Sequence, residues 1–306
     1  MREVVLLHVM GQDLFGTYHV PAPPTCAGDV AVVFLNFGQA PRAGMADVAA
    51  SLAEALAQRG YPTYRIDLPG LGDSPGSLPE SLHDFWRAVQ DGLHQPWTEE
   101  IVKQLAQDHG YESLVLGGLC GGGITAALAA DHLPCGVSGV FMLEPEFMLL
   151  PLAQSEEQRM ADPGITETRA RLRSWSHLRS RLLSVAAWRR LLSGQSSYRQ
   201  DCRTLLWIAR RRLDHLRGES LPSDINRPFV EALRRLADRR MPLAIVMASS
   251  LQKELIERDI FGRARMATVR NVAVEGTNHM FATHQGKEAV AVVLHDWLCA
   301  VHPRQA

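Results

Sequence analysis

The sequence predicts an α/β protein, a mostly parallel central sheet flanked by helices, with an all-helical insertion. Three observations predict it. Strand-like and helix-like runs alternate through the first half of the chain, which is the signature of a parallel sheet covered on both faces. Residues 148–238 lack strand patterns and read as several Arg-rich helices. Strand-like runs then return, and an amphipathic helix closes the chain. The expected division is a core of residues 1–147 and 239–306 with a helical lid over 148–238.

The elements follow in order. Residues 4–9 (VVLLHV) and the Pro-rich stretch after His19 suggest an early meander. Residues 31–36 (AVVFLN) form a short β-branched run that suits a buried strand. Met45, Val48, Ala49, Leu52 and Leu56 keep helical spacing, and Gly60 supplies a stop, so a helix is expected over 45–58. A strand at 63–68 runs into the loop PGLGDSPG at 69–76. A helical stretch over 82–109 must be interrupted or started by Pro96. Further strands are expected at 113–119, 136–143, 242–248 and 268–274, with helices at 121–132 and 288–300.

Composition excludes several classes. The chain has 306 residues, 46% hydrophobic and 21% charged, so its apolar fraction is too high for a disordered chain. A formal net charge of −1 argues against nucleic-acid steering, and no apolar run reaches the roughly 18–20 residues of a membrane span. The N-terminus does not read as a secretory signal, and a cytoplasmic protein is expected. Five cysteines (Cys26, Cys120, Cys135, Cys202, Cys299) are an odd, widely spaced set without CxxC, which disfavours disulfides and structural zinc. The histidines show no metal-ligand spacing, so neither metal nor cofactor is expected.

Charge is unevenly spread. Lysines number three, and thirteen arginines fall between Arg169 and Arg217 against two acids, Asp201 and Asp214. That block is either the solvated face of amphipathic helices or a docking surface for an acidic or phosphorylated partner. Trp175, Trp188 and Trp207 lie in the same block, where they pack lid helices or line an acyl pocket.

Gly118, Cys120 and Gly122 form G-x-C-x-G between an expected strand and an expected helix. This is the nucleophile-elbow pattern with Cys in place of Ser; the glycines let strand and helix approach across a strained turn. The helix N-terminus favours a thiolate. A Gly-rich turn that binds phosphate has the same composition. Two segments bear on the choice. Asp67, Gly70, Gly72 and Ser74 follow one strand as D-x-x-G-x-G-x-S, and Asn36-Phe37-Gly38-Gln39 follows the strand before it.

In order and spacing these elements, together with His279, resemble the α/β-hydrolase fold family across most of the chain. Asn36-Phe37 and the run at 184–194 (SVAAWRRLLSG) are similar, more narrowly, to hydrolases found with exosortase systems. The resemblance implies that Cys120 is the nucleophile and His279, after the last strand, its general base. The family's usual acid position after Ala248 holds no Asp. The resemblance offers another place, the end of the preceding strand, where Glu144 stands and haloalkane dehalogenases of this fold use a Glu. Glu254 and a dyad without acid remain alternatives. Backbone N–H groups of Gly121 and Gly38 are the implied oxyanion donors.

A Cys nucleophile gives a thioester acyl-enzyme, suited to exchange with other thiols. Members of the family with a Cys elbow include dienelactone hydrolases, some thioesterases and shuttles moving aminoacyl groups between carrier proteins. The leading expectation is therefore an acyltransferase or thioesterase acting on carrier-protein or coenzyme A thioesters in a biosynthetic pathway. The partner would be an acidic acyl carrier protein docked on the Arg-rich lid. A Cys-dependent hydrolase of a small ester or lactone, and a non-catalytic scaffold, are the competing readings.

Overall fold

In the structure, a computed structural model, residues 1–23, 30–147, 149 and 225–303 are described. The chain opens with a hairpin of β1 (Arg2–Val9) and β2 (Gln12–His19), joined by Met10 and Gly11. Both turn residues have positive φ, 48° and 79°, as a tight turn matched to strand twist requires. The early meander is thus a two-residue hairpin. Its second strand alternates Leu14 and Gly16 with more exposed positions, a pattern the Gly and Asp residues obscure in the sequence.

Next come β3 (Val30–Leu35), α1 (Val48–Gln58) and β4 (Thr63–Ile66). The helix expected from Met45 begins three residues later. Met45–Asp47 is a 3₁₀ turn in which Ala46 and Asp47 have φ of 52° and 55°, incompatible with α-helix. The stretch over 82–109 is two helices, α2 (Leu82–Gln90) and α3 (Gln95–His109). Ser81 caps the first by accepting from the Asp84 N–H, and Pro96 sits in the first turn of the second, where its missing N–H costs nothing. Then follow β5 (Ser113–Leu119), α4 (Gly121–His132) and β6 (Val137–Leu143).

Beyond the insertion come α5 (Arg227–Asp238), β7 (Leu243–Met247), α6 (Ser250–Leu255) and a π-helical turn over Ile256–Phe261. The chain continues through α7 (Gly262–Arg265), β8 (Val269–Ala273) and α8 (His284–Val301). The strands form one eight-stranded sheet in the order β1-β2-β4-β3-β5-β6-β7-β8. It is antiparallel at β1/β2 and β2/β4 and parallel from there on. Strands β3, β4 and β7 are buried along their whole length, as strands covered on both faces must be.

Helices α1 and α8 pack together over a core of Val32, Phe34, Leu52, Leu56, Phe141 and Trp297. Helices α2, α3 and α5 gather around α4, which is buried on all sides from Gly121 to Asp131. The contacts place α5 with the core, not with the insertion that the sequence suggested would run to residue 238. The two compact units are Met1–Leu149 with Asn226–Ala306, and Leu150–Ile225. The reason is that α5 is amphipathic. Phe229, Val230, Leu233 and Leu236 are fully buried, while Arg235 and Arg239 reach back to the Asp131 carboxylate on α4. The Arg169–Arg217 block, its three tryptophans, Cys26 and Cys202 lie outside the described residues.

Candidate active site

The carboxyl ends of the parallel strands, where open α/β sheets gather their chemistry, hold Gly38, Cys120, Gly121, Glu144 and His279. Cys120 follows β5 with φ 50° and ψ −110°, a conformation that costs a non-glycine residue energy. Its N–H donates to the Leu143 carbonyl (2.7 Å), and its carbonyl accepts from Gly123 and Ile124, starting α4. The thiol therefore sits at a helix N-terminus and is nearly buried, 6% exposed.

Glycine is needed around it for close approach. A Cβ on Gly118 would lie 2.8 Å from the Leu35 carbonyl, and one on Gly122 would lie 2.7 Å from it. A Cβ on Gly117 would collide with Phe141.

Glu144 ends β6, the neighbouring strand, and is the other strand-end residue beside the elbow with positive φ, 47°. Its N–H donates to the Val246 carbonyl at 2.9 Å. One carboxylate oxygen accepts a short hydrogen bond from the Ala248 N–H. The other accepts from His279 Nδ1 at 3.1 Å. The Ala248 bond fixes the carboxylate, and the carboxylate fixes the imidazole with its proton on Nδ1, leaving Nε2 as the acceptor.

His279 lies in the loop after β8. There the Asn278 side chain accepts from the Met280 and Ala282 N–H groups and holds the turn. Glu254, the alternative acid, is exposed on α6, while Glu144 holds the imidazole.

Gly38 follows β3 with φ 53°. A Cβ built on Gly121 would stand 3.8 Å from the Gly38 nitrogen, so the two glycines are neighbours. Among the described residues neither N–H has an acceptor. Two such N–H groups side by side can receive a developing negative charge. Trp86 of α2 packs against both glycines, and Phe37 stands 6.1 Å from the His279 ring and 6.3 Å from the Trp86 ring, centroid to centroid. This aromatic wall has no motif of its own in the sequence; helical spacing of Phe85, Trp86 and Val89 marks only an amphipathic helix.

The D-x-x-G-x-G-x-S element acts as a brace. Asp67, fully buried, accepts from Asn36 Nδ2 (2.9 Å), the Arg42 N–H (2.5 Å) and the Asp73 N–H (3.1 Å), and is paired with the Arg42 guanidinium. Asn36 returns a bond, accepting from the Leu68 N–H at 2.8 Å. A Cβ on Gly72 would collide with the Asp67 carboxylate, and the Ser74 hydroxyl donates to the Asp67 carbonyl at 2.6 Å. These bonds clamp both ends of the loop that carries Gly38. No cluster of three metal-ligating side chains occurs among the described residues. No helix among them is long and apolar enough to cross a membrane.

The eight-stranded sheet and the sharp strand–Cys120–helix turn point to one family. The chain belongs to the Alpha/beta hydrolase family, which matches residues 27–293. Among solved structures it is similar to a dienelactone hydrolase from Anabaena variabilis (15% identity, TM-score 0.54, covering 98% of this chain and 97% of that one). It is likewise similar to the thioesterase domain of the curacin biosynthetic pathway (16%, 0.52, 96% and 99%). A third is the haloalkane dehalogenase DbeA from Bradyrhizobium elkani (15%, 0.53, 98% and 99%). At such identities the likeness concerns the fold. No curated protein matches the sequence.

Proposed function

We propose that the protein is a Cys-dependent acyltransferase or thioesterase that passes through a thioester acyl-enzyme. Cys120 Sγ attacks the carbonyl carbon of the acyl donor, and its proton goes to His279 Nε2. The carbonyl oxygen becomes an oxyanion held by the Gly121 and Gly38 N–H groups. Glu144 orients the imidazole and stabilises its charge. Collapse breaks the bond to the leaving thiol, which takes the proton from His279. A second nucleophile then attacks the acyl-enzyme, with His279 again accepting its proton, and Cys120 leaves.

One observation carries the reading: Cys120 stands on a strained turn hydrogen-bonded through its N–H to Leu143, the residue before the Glu144 that holds His279. The donor is proposed to be an acyl group on coenzyme A or a carrier protein, because exchange between thiols is nearly isoenergetic and a thioester is open to attack by thiol or amine. The Arg-rich block over 169–217 supports an acidic carrier protein as partner, since its charge is complementary. Such substrates suit a cytoplasmic biosynthetic step.

The test compares turnover of acyl-pantetheine and acyl-carrier thioesters with that of a small p-nitrophenyl ester, with and without an acceptor thiol. Preference for thioesters, with acyl recovered on the acceptor, is expected. Equal efficiency on the small ester and no transfer would make the protein a plain ester or lactone hydrolase. Replacing several of the 169–217 arginines by Glu should raise KM for the carrier substrate alone; equal effects on both substrates would remove the docking role.

A further inference from the structure

Between α1 and α8, away from the elbow, lies an open groove of about 710 Å³, a size common for small-molecule sites. Its charged lining is Arg2, Asp47, Glu54, Arg65, Lys287 and Glu288. Half of these charges are paired locally. Arg2 pairs with Glu54 at 2.9 Å, and Glu288 with Arg59 at 3.0 Å.

Arg65 is different. It is only 5% exposed, yet no carboxylate lies within ion-pair distance of it among the described residues. Its Nε donates to His19 Nε2 (2.9 Å) and its Nη1 to the Arg42 carbonyl (3.0 Å), which leaves Nη2 without an acceptor there. His19 brings no negative charge: as the acceptor from Arg65 its imidazole is neutral, with its proton on Nδ1 toward Glu54. Burial, Arg2 and Arg42 pull the Arg65 guanidinium down to about 10, against the weaker opposing attraction of Asp67 and Asp47. A buried, unpaired guanidinium is costly, and an anion that reached it would relieve that cost.

Lys287, on the facing helix, is likewise without a carboxylate partner and donates to the Ala46 carbonyl (2.5 Å). The anion should carry a single charge, because Asp47, Glu54 and Glu288 on the same walls would repel a dianion. A carboxylate matches the planar guanidinium fork. The remainder is lined by Ala43, Ala50, Ala55 and Ala291 together with Ser51, Gln58 and His284, and the alanines leave room for a short aliphatic chain.

We propose that this groove is a binding site for a short-chain aliphatic monocarboxylate, held by Arg65 with Lys287 as the second cation. The probe is sodium butyrate, titrated at constant ionic strength against sodium chloride, with the melting temperature as readout. The full chain carries Cys120→Ala, so acyl chemistry at the elbow cannot contribute. A saturable rise with butyrate and none with chloride is expected. Lys287→Gln, with its own melting temperature read without butyrate as the baseline, should weaken binding about two- to fivefold. Arg65→Gln should weaken it by about thirtyfold or more, and Asp47→Asn should tighten it. No saturable rise would overturn the proposal. So would a rise unchanged by Lys287→Gln and Asp47→Asn, which would place the anion elsewhere, whether or not Arg65→Gln folds.

Discussion

At the residue scale, the account turns on what each side chain can do from where the strands leave it. In the proposed step His279 takes the Cys120 proton, so His279→Ala should slow acylation by about 10²-fold or more, read in single-turnover experiments. Glu144 has two duties, and two substitutions separate them. Gln at 144 still accepts from the Ala248 N–H, so Glu144→Gln should lower kcat while leaving the urea midpoint near the parent's. Ala cannot accept, and Glu144→Ala should cost in addition about 1–3 kcal/mol of stability for the stranded, buried N–H. Unchanged turnover in Glu144→Gln would remove Glu144 from the mechanism. Cys120 stands out in the sequence because glycine spacing between a strand and a helix marks such a turn, whereas His279 and Gly38, like Glu144, were reached through resemblance. Glu144 came from resemblance, and its hydrogen bond to His279 joins residues 135 apart in sequence, which no local pattern reveals.

At the element scale, the sheet and its helices were readable wherever period-two or helical spacing is clean. Three places were not. Strand β2 was missed because Asp13, Gly16 and Thr17 break its apolar alternation, although pairing with β1 and β4 satisfies its backbone. The start of α1 was displaced because Met45 fits helical spacing while Ala46 and Asp47, which follow it, are left-handed. Helix α5 was assigned to the insertion because its arginines matched the composition upstream; its buried face, which the periodicity also carries, decides otherwise. The core assignment of α5 predicts that Phe229→Ala costs about 3–5 kcal/mol in denaturant unfolding, as for a fully buried aromatic side chain. A loss under 1 kcal/mol would mean α5 is peripheral to the fold.

At the scale of the whole molecule, two buried histidines set how stability responds to acid. Burial, with Arg65 beside it, pulls the His19 imidazole down to about 4, and burial alone pulls His94 down to about 4. Neither ring nitrogen of His94 has a hydrogen-bond partner among the described residues. Both groups bind a proton more weakly folded than unfolded, where the ordinary value is near 6.5. Stability is therefore full above about 6.5 and falls as pH drops toward about 4, with close to two protons taken up by these rings on unfolding in that window and a further contribution from His302, which burial also lowers. Urea midpoints from pH 7.5 to 4.5 should show that slope, and His94→Leu should flatten it by about one proton. A midpoint independent of pH across the window would contradict the buried, neutral state of both rings.

The central claim is that Cys120 carries the acyl group. It is tested most directly by incubating the protein with acyl-pantetheine thioesters and taking its intact mass, beside Cys120→Ala. The account predicts a mass increase equal to one acyl group in the parent chain, absent from the variant and chased off by added thiol. An unmodified mass with every thioester, or an adduct of equal yield in Cys120→Ala, would contradict it.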